Sequence, residues 1–268
     1  MAGGKSLWLV GAGNMGGAML RGWLAAGFDG KISVIDPFIP EVPAGVDLLR
    51  ALPADGDGPD ILVLAVKPQQ LDAVTPSFSS KQRSPRLLLS ILAGVETRTL
   101  SDGFRATSTV RAMPNLPVSI GEGVTALYSA DAPQDVRDEA AALVAPLGLV
   151  EWIDDEALFD AVTALSGCGP GFLFRFIEAM AQAGEALGLP ADQALRLATA
   201  TVKGSGLLAA ASEEGPDVLA DRVASPGGST REGLNVLDAD DRLKALLRDT
   251  LAASARRNAE LAAAARKP

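Results

Sequence analysis

The sequence predicts an α/β protein in two parts: an N-terminal doubly wound, mainly parallel sheet and a C-terminal all-α domain. Three observations lead there. Up to about residue 150, short and nearly continuous apolar runs alternate with helical stretches. That is the pattern of strands joined by right-handed crossovers and covered on both faces. A glycine-rich segment separates the first apolar run from the first helical stretch. From Asp155 onward the chain reads as almost entirely helical. At about 100–200 residues per domain, the 268 residues suit one or two domains; we place two, at residues 1–160 and 161–268.

The first strand is KSLWLV, Lys5–Val10. NMGGAMLRGWLAAG, Asn14–Gly27, follows as a helix that Gly27 ends. KISVID (Lys31–Asp36), DILVLAV (Asp60–Val66), RLLLSIL (Arg86–Leu92) and STVRAM (Ser108–Met113) supply four further strands. In the C-terminal part, Phe172, Phe176, Met180, Ala183 and Leu187 recur at helical spacing across Gly169–Gly188. Ala191–Ala211 is a second long helix. Asp238–Pro268 is a third, with aspartates at its start and Arg266 and Lys267 at its end, which complements the helix dipole. These helices are rich in Ala and Gly. Such surfaces approach closely but bury little area, so the domain is expected to pair with a second copy.

The glycine-rich segment VGAGNMGGAM places Gly11, Gly13 and Gly16 in G-x-G-x-x-G spacing between a strand and a helix, the context that gives this motif meaning. Gly11 suits the tight turn, Gly13 the approach of a pyrophosphate, and Gly16 close helix–strand packing. With Ala12, Asn14 and Met15 these residues form the expected cofactor cradle at a helix N-terminus. The N-terminal part is thus a Rossmann-type domain. Asp36 closes the second strand. Its carboxylate can meet a ribose 2′-hydroxyl and repel a 2′-phosphate, which favours NADH over NADPH, or it can simply open the Asp-Pro turn. Ala65, Val66, Lys67 and Pro68 leave the third strand, and Met113, Pro114 and Asn115 end the fifth. Ligands bind at such strand ends, and an asparagine there can hydrogen-bond a carboxamide; each segment also reads as a plain strand-ending turn. Near the C-terminus, VASPGGSTREGL holds Ser225, Pro226, Gly227, Gly228, Ser229 and Thr230. Two glycine N–H groups beside a helix start form a nest for a small anion, with Ser229 or Thr230 as candidate N-cap.

Composition narrows the chemistry. There is no histidine, so no Ser-His-Asp triad and no histidine ligand to a metal. The lone cysteine, Cys168, excludes an intrachain disulfide and a multi-cysteine zinc site. No metal is expected. A net charge of −9 disfavours nucleic acid as a partner. No apolar run approaches the ~18–20 residues of a membrane span, and Leu7–Val10 is too short for the core of a signal peptide. A cytoplasmic protein without membrane contact is the expectation.

Six segments in order resemble the pyrroline-5-carboxylate reductases: GAGNMGGAM, AVKP, SILAGV (Ser90–Val95), RAMPN, GCGPGFLFRFIEAM (Gly167–Met180) and VASPGGSTREGL. The resemblance covers nearly the whole chain, and SPGGST is its most specific piece. It implies a Rossmann domain, a helical dimerisation domain, an NADPH- or NADH-dependent reductase, and interlocked dimers that can assemble into a decamer. It implies that the Ser225–Thr230 loop holds the carboxylate of the small-molecule substrate, with the Thr230 hydroxyl near the ring nitrogen, and it adds Ala93 to the cofactor contacts. Three places depart from the pattern, one of them Gly171-Phe172 where members carry a small residue and a tyrosine. Cys168 stands where many members carry serine and reads as a packing residue. Asp36 stands where members often carry hydroxyl or amide groups suited to a 2′-phosphate. The missing histidine is compatible with this chemistry, because a protonated imine already carries the charge that an arriving hydride neutralises. Three alternatives stand beside it: a reductase for another cyclic imine, a dehydrogenase of the beta-hydroxyacid type, and a catalytically silent nucleotide sensor. The second lacks its expected lysine in GPGFLFRF; the third would not need SPGGST.

Overall fold

The structure is a computed structural model and describes residues 4–265. Its sheet has eight strands among the described residues: β1 (Lys5–Val10), β2 (Gly30–Ile35), β3 (Asp47–Leu49), β4 (Ile61–Leu64), β5 (Leu87–Ser90), β6 (Ser108–Pro114), β7 (Gly123–Tyr128) and β8 (Gly148–Trp152). They lie in the order β3-β2-β1-β4-β5-β6-β7-β8. Every pairing is parallel except β6 with β7. The order reverses between β1 and β4, which creates the switch-point crevice at the strand C-termini. The five expected strands are present within a few residues. β3, β7 and β8 had not been expected.

The helices on this sheet are α1 (Asn14–Ala25), α2 (Leu71–Val74), α3 (Thr97–Gly103), α4 (Gln134–Val144) and α5 (Phe159–Val162). Alternate residues of each central strand feed two separate cores. Ile61, Val63, Leu87 and Leu89 pack with Met19 and Trp23 of α1 and Ala140 and Leu143 of α4. Leu62, Leu64 and Leu88 pack with Leu71, Leu100, Phe78 and Phe104 on the opposite face. Coverage of both faces is why these strands carry no polar alternation. The buried Trp23 indole N–H donates to the Leu143 carbonyl at 2.8 Å and ties α1 to α4.

A π-helical turn, Thr163–Gly167, leads into α6 (Gly169–Ala186); α7 (Ala191–Ala211), α8 (Pro216–Arg222), α9 (Ser229–Asp238) and α10 (Arg242–Ala265) follow. The chain divides into two compact units: residues up to Gly167 together with those from Ala255 on, and Cys168–Ser254. The tail of α10 therefore belongs with the sheet, a feature outside the expected ranges 1–160 and 161–268. In the helical unit, Ala194, Ala198 and Ala224 alone among its residues are fully buried. Leu173, Phe174, Phe176, Leu207 and Leu208 lie exposed.

One sequence expectation is corrected here. The aspartates do not open the last helix: Asp238 ends α9, Asp240 and Asp241 lie in the turn, and α10 begins at Arg242 with no acidic residue in its first turn. The positive φ of Asp240 and Asp241, 54° and 57°, breaks the helix there. Arg266 and Lys267 fall outside the described residues. The continuous helical run Glu156–Ala186 is, by length and composition, long and apolar enough to cross a membrane. Its apolar stretch is interrupted by Arg175 and Glu178.

Candidate active site

The site begins where β1 turns into α1. Gly11 has φ +89°, and a Cβ there would lie 2.8 Å from the Ala65 carbonyl oxygen. A Cβ on Gly16 would lie 2.3 Å from the Gly11 carbonyl oxygen, so the helix start rests directly on the turn. Gly13 has nothing within 4 Å of its Cβ position. It is also the N-cap of α1, with no side-chain cap. The first intrahelical bond runs from Gly17 N–H to Gly13 C=O. The N–H groups of Asn14, Met15 and Gly16 therefore have no helical acceptor. An open approach and uncapped donors at a helix N-terminus fit the pyrophosphate of a dinucleotide.

Asp36 follows β2 and is 7% exposed. One carboxylate oxygen accepts the Ala12 N–H at 2.9 Å. The other accepts the N–H groups of Phe38 at 2.8 Å and Ile39 at 3.2 Å. Burial pushes its pKa up, but these three N–H groups and the Arg50 guanidinium outweigh burial and hold it below the ordinary aspartate value. Arg50 in turn donates to the carbonyls of Ile39 and Pro40. The turn reading of Asp36 is thus realised in the structure, and the same carboxylate pins the glycine-rich loop.

The other expected contacts gather at the same sheet edge. Ala65, Val66, Lys67 and Pro68 follow β4, Ala93 follows β5, and Met113 and Pro114 end β6. Asn115 is used differently from the expectation. Its side-chain N–H donates to the Ser166 carbonyl at 3.0 Å, and its carbonyl oxygen accepts the Val124 N–H at 2.8 Å. Asn115 therefore joins β7 to the π-helical turn instead of presenting a free amide to a carboxamide.

A cavity of about 280 Å³ opens beside these strand ends. Pro68, Ala93, Met113, Phe159 and Leu261 line it, with polar edges from Gln69, Arg111 and Asn258. Arg111 is 7% exposed. Its guanidinium donates to Glu156 at 2.7 Å and lies 4.4 Å from the centre of the Phe159 ring. Glu156 also accepts the N–H and the hydroxyl of Thr97, both at 2.8 Å. Burial raises the Glu156 pKa, but the Thr97 and Arg111 hydrogen bonds bring it below the ordinary glutamate value. The motif reading missed Arg111, Glu156 and Asn258. For Arg111 a signal existed: it stands two residues from Met113 on one strand, hence on the same side. A larger open groove, about 700 Å³, involves Asp57, Lys81, Arg86 and Arg105 at the opposite ends of β4 to β6. It lies away from the crevice that ligands use in such sheets.

The Ser225–Thr230 loop belongs to the helical unit. Gly227 has φ +72°, which an L side chain adopts only with strain. Two expectations change. The Gly228 N–H is not free, because it donates to the Ser225 carbonyl at 2.9 Å. The N-cap of α9 is Gly228 itself, not Ser229 or Thr230, and no side chain caps it. The first helical bond is Glu232 N–H to Gly228 C=O, so the N–H groups of Ser229, Thr230 and Arg231 remain without helical acceptors. Thr230 is exposed. The N–H groups left open here are therefore those of the first turn of α9, not that of Gly228.

A parallel sheet reversing at β1, an uncapped glycine-rich helix start at that point, and a separate helical unit together define a two-domain dinucleotide-binding oxidoreductase. Comparison with known proteins makes this specific. Residues 156–261 match the model of the pyrroline-5-carboxylate reductase dimerisation domain, and residues 6–94 that of the coenzyme F420-dependent NADP oxidoreductases. The chain is 35% identical to the pyrroline-5-carboxylate reductase of Pseudomonas aeruginosa over 94% of its own length and 95% of that protein's. It is 39% identical to the Synechocystis enzyme of the same name over 75% of each. The solved Coxiella burnetii reductase superposes with a TM-score of 0.86 at 30% identity, covering 96% of this chain and 98% of that one. The Plasmodium falciparum reductase, solved with NADP bound, gives 0.78 at 28% identity, covering 95% and 97%. The chain belongs to the pyrroline-5-carboxylate reductase family.

Proposed function

We propose that the chain reduces 1-pyrroline-5-carboxylate to L-proline, the last step of proline synthesis. The cofactor, NADPH or NADH, supplies the hydride that the C=N carbon of the ring accepts. The open, uncapped α1 start at the switch point is the observation that carries this reading within the family. The N–H groups of Asn14, Met15 and Gly16 hold the pyrophosphate, and Asp36 meets the adenosine ribose. Ala65 to Pro68, Ala93, Met113 and Pro114 border the nicotinamide end. The first turn of α9, with Ser225 and Gly227 shaping its approach, holds the substrate carboxylate. The Thr230 hydroxyl orients the ring nitrogen and relays a proton to it. Holding the two reacting carbons in line is the main task, since the protonated imine needs no strong acid.

The chain self-associates through its helical domain as a dimer, and dimers assemble into a decamer. The exposed Leu173, Phe174, Leu207 and Leu208 support a covered face. A cytoplasmic location completes the reading; the unpaired Cys168 is compatible with a reducing compartment. The deciding experiment follows oxidation of NADH and NADPH separately with 1-pyrroline-5-carboxylate. Proline formation is expected. Cofactor binding without turnover would redirect the reading to another imine or to a silent sensor.

A further inference from the structure

We propose that Arg111 donates a hydrogen bond to the carboxamide oxygen of the bound nicotinamide, and that Glu156 positions it for that contact. The inference rests on reading the strand-end cavity as the nicotinamide site. Arg111 has five N–H donors in a fixed fork. Among the described residues its guanidinium makes one hydrogen bond, to Glu156, although the residue is 7% exposed. The rest of the fork is not among the fully buried unpaired atoms of the described residues; Arg111 lines the cavity, so its remaining N–H groups open onto that space, where a ligand can supply the acceptor. The fork cannot swing away, because Glu156 holds one end and the Phe159 ring covers a face.

The cavity selects the kind of acceptor. Its walls at Ala93, Met113, Phe159 and Leu261 suit a flat, weakly polar ring. Its volume, about 280 Å³, has room for such a ring and its amide rather than a whole dinucleotide. The charge of Arg111 is already matched by Glu156, which Thr97 fixes through two hydrogen bonds. A substrate carboxylate would add a further anion beside Glu156 and Asp160, which also lines the cavity, against the one cation. A neutral amide carbonyl accepts the same N–H without that repulsion.

The test measures dissociation constants by calorimetry for NADH, NADPH and ADP-ribose, which lacks the nicotinamide. The proteins are wild type, Arg111→Met, Arg111→Lys and Glu156→Gln, each with its Tm. Arg111→Met is expected to weaken both dinucleotides at least about tenfold and ADP-ribose by less than about twofold. Arg111→Lys should keep the charge and Tm but not the dinucleotide affinity, because lysine lacks the fork. Glu156→Gln should give a smaller loss, again confined to the dinucleotides. If Arg111→Met does not fold, the other two variants carry the comparison. Equal loss of ADP-ribose would make the pair merely structural and overturn the proposal. Unchanged dinucleotide affinity with a raised KM for the imine would overturn it in favour of the substrate carboxylate. A wild-type protein that binds none of NADH, NADPH and ADP-ribose would instead overturn the dinucleotide reading of the whole site.

Discussion

The proposed ribose contact of Asp36 and its observed hold on the loop can be measured apart. As a charge near the ribose it should disfavour a 2′-phosphate, so Asp36→Ser should raise the ratio of kcat/KM for NADPH over NADH. As the acceptor of three backbone N–H groups it also holds the cofactor loop. The same variant should therefore lose about 1–3 kcal/mol of stability, read as a lower denaturation midpoint. The pH dependence follows from its depressed pKa. Folding favours the ionised form, so the stabilisation is complete above the ordinary aspartate range and is lost as pH falls through that range towards the lower folded value. Asp36→Asn should flatten the acid limb of a Tm–pH profile; an unchanged limb would remove Asp36 from it. At the proposed substrate site, Thr230→Ala should lower kcat while leaving NADH and NADPH affinity unchanged, as equilibrium titration would show. Equal loss of both would place Thr230 outside the chemistry. The glycine motif was legible because its residues are contiguous and its meaning depends on the adjacent strand and helix. The pairing of Arg111 with Glu156 was not, because the two lie 45 positions apart in the sequence.

Among the elements, the central strands could be read from sequence because both faces are buried and the apolar runs are unbroken. β3 escaped because it has three residues, one of them exposed and two half-buried. β8 escaped because its burial alternates between half-buried and exposed, with no fully buried position. β7 is apolar, but it runs antiparallel to β6 and follows it without a crossover helix, outside the alternating pattern that guided the reading. The turn from β1 to α1 is the element most sensitive to a single atom. Gly16→Ala would put a methyl 2.3 Å from the Gly11 carbonyl oxygen, and backbone must move to admit it. The expected result is a loss of about 1–3 kcal/mol in stability, with dinucleotide affinity falling alongside it. Chemical denaturation and fluorescence titration of this variant would check both. Unchanged affinity would mean that the loop does not touch the pyrophosphate.

For the whole molecule, the expected self-association acquires a physical reason. The helical unit has almost no interior of its own: its fully buried residues are three alanines, while leucines and phenylalanines face outward. Sedimentation at micromolar concentration should therefore show a dimer or larger species, and Leu207→Asp combined with Leu208→Asp should reduce its size. A fully active monomer at that concentration would refute the assembly reading. The composition of this unit hinted at pairing; the dispersal of its outward leucines over several helices could be seen only once the chain was folded. Such a unit also gives stability the character of a mass-action quantity. If folding is completed by a second copy, the Tm should climb with protein concentration, and each tenfold dilution should take about 1.4 kcal/mol from a dimer. Activity lost on dilution would then return on concentrating the sample.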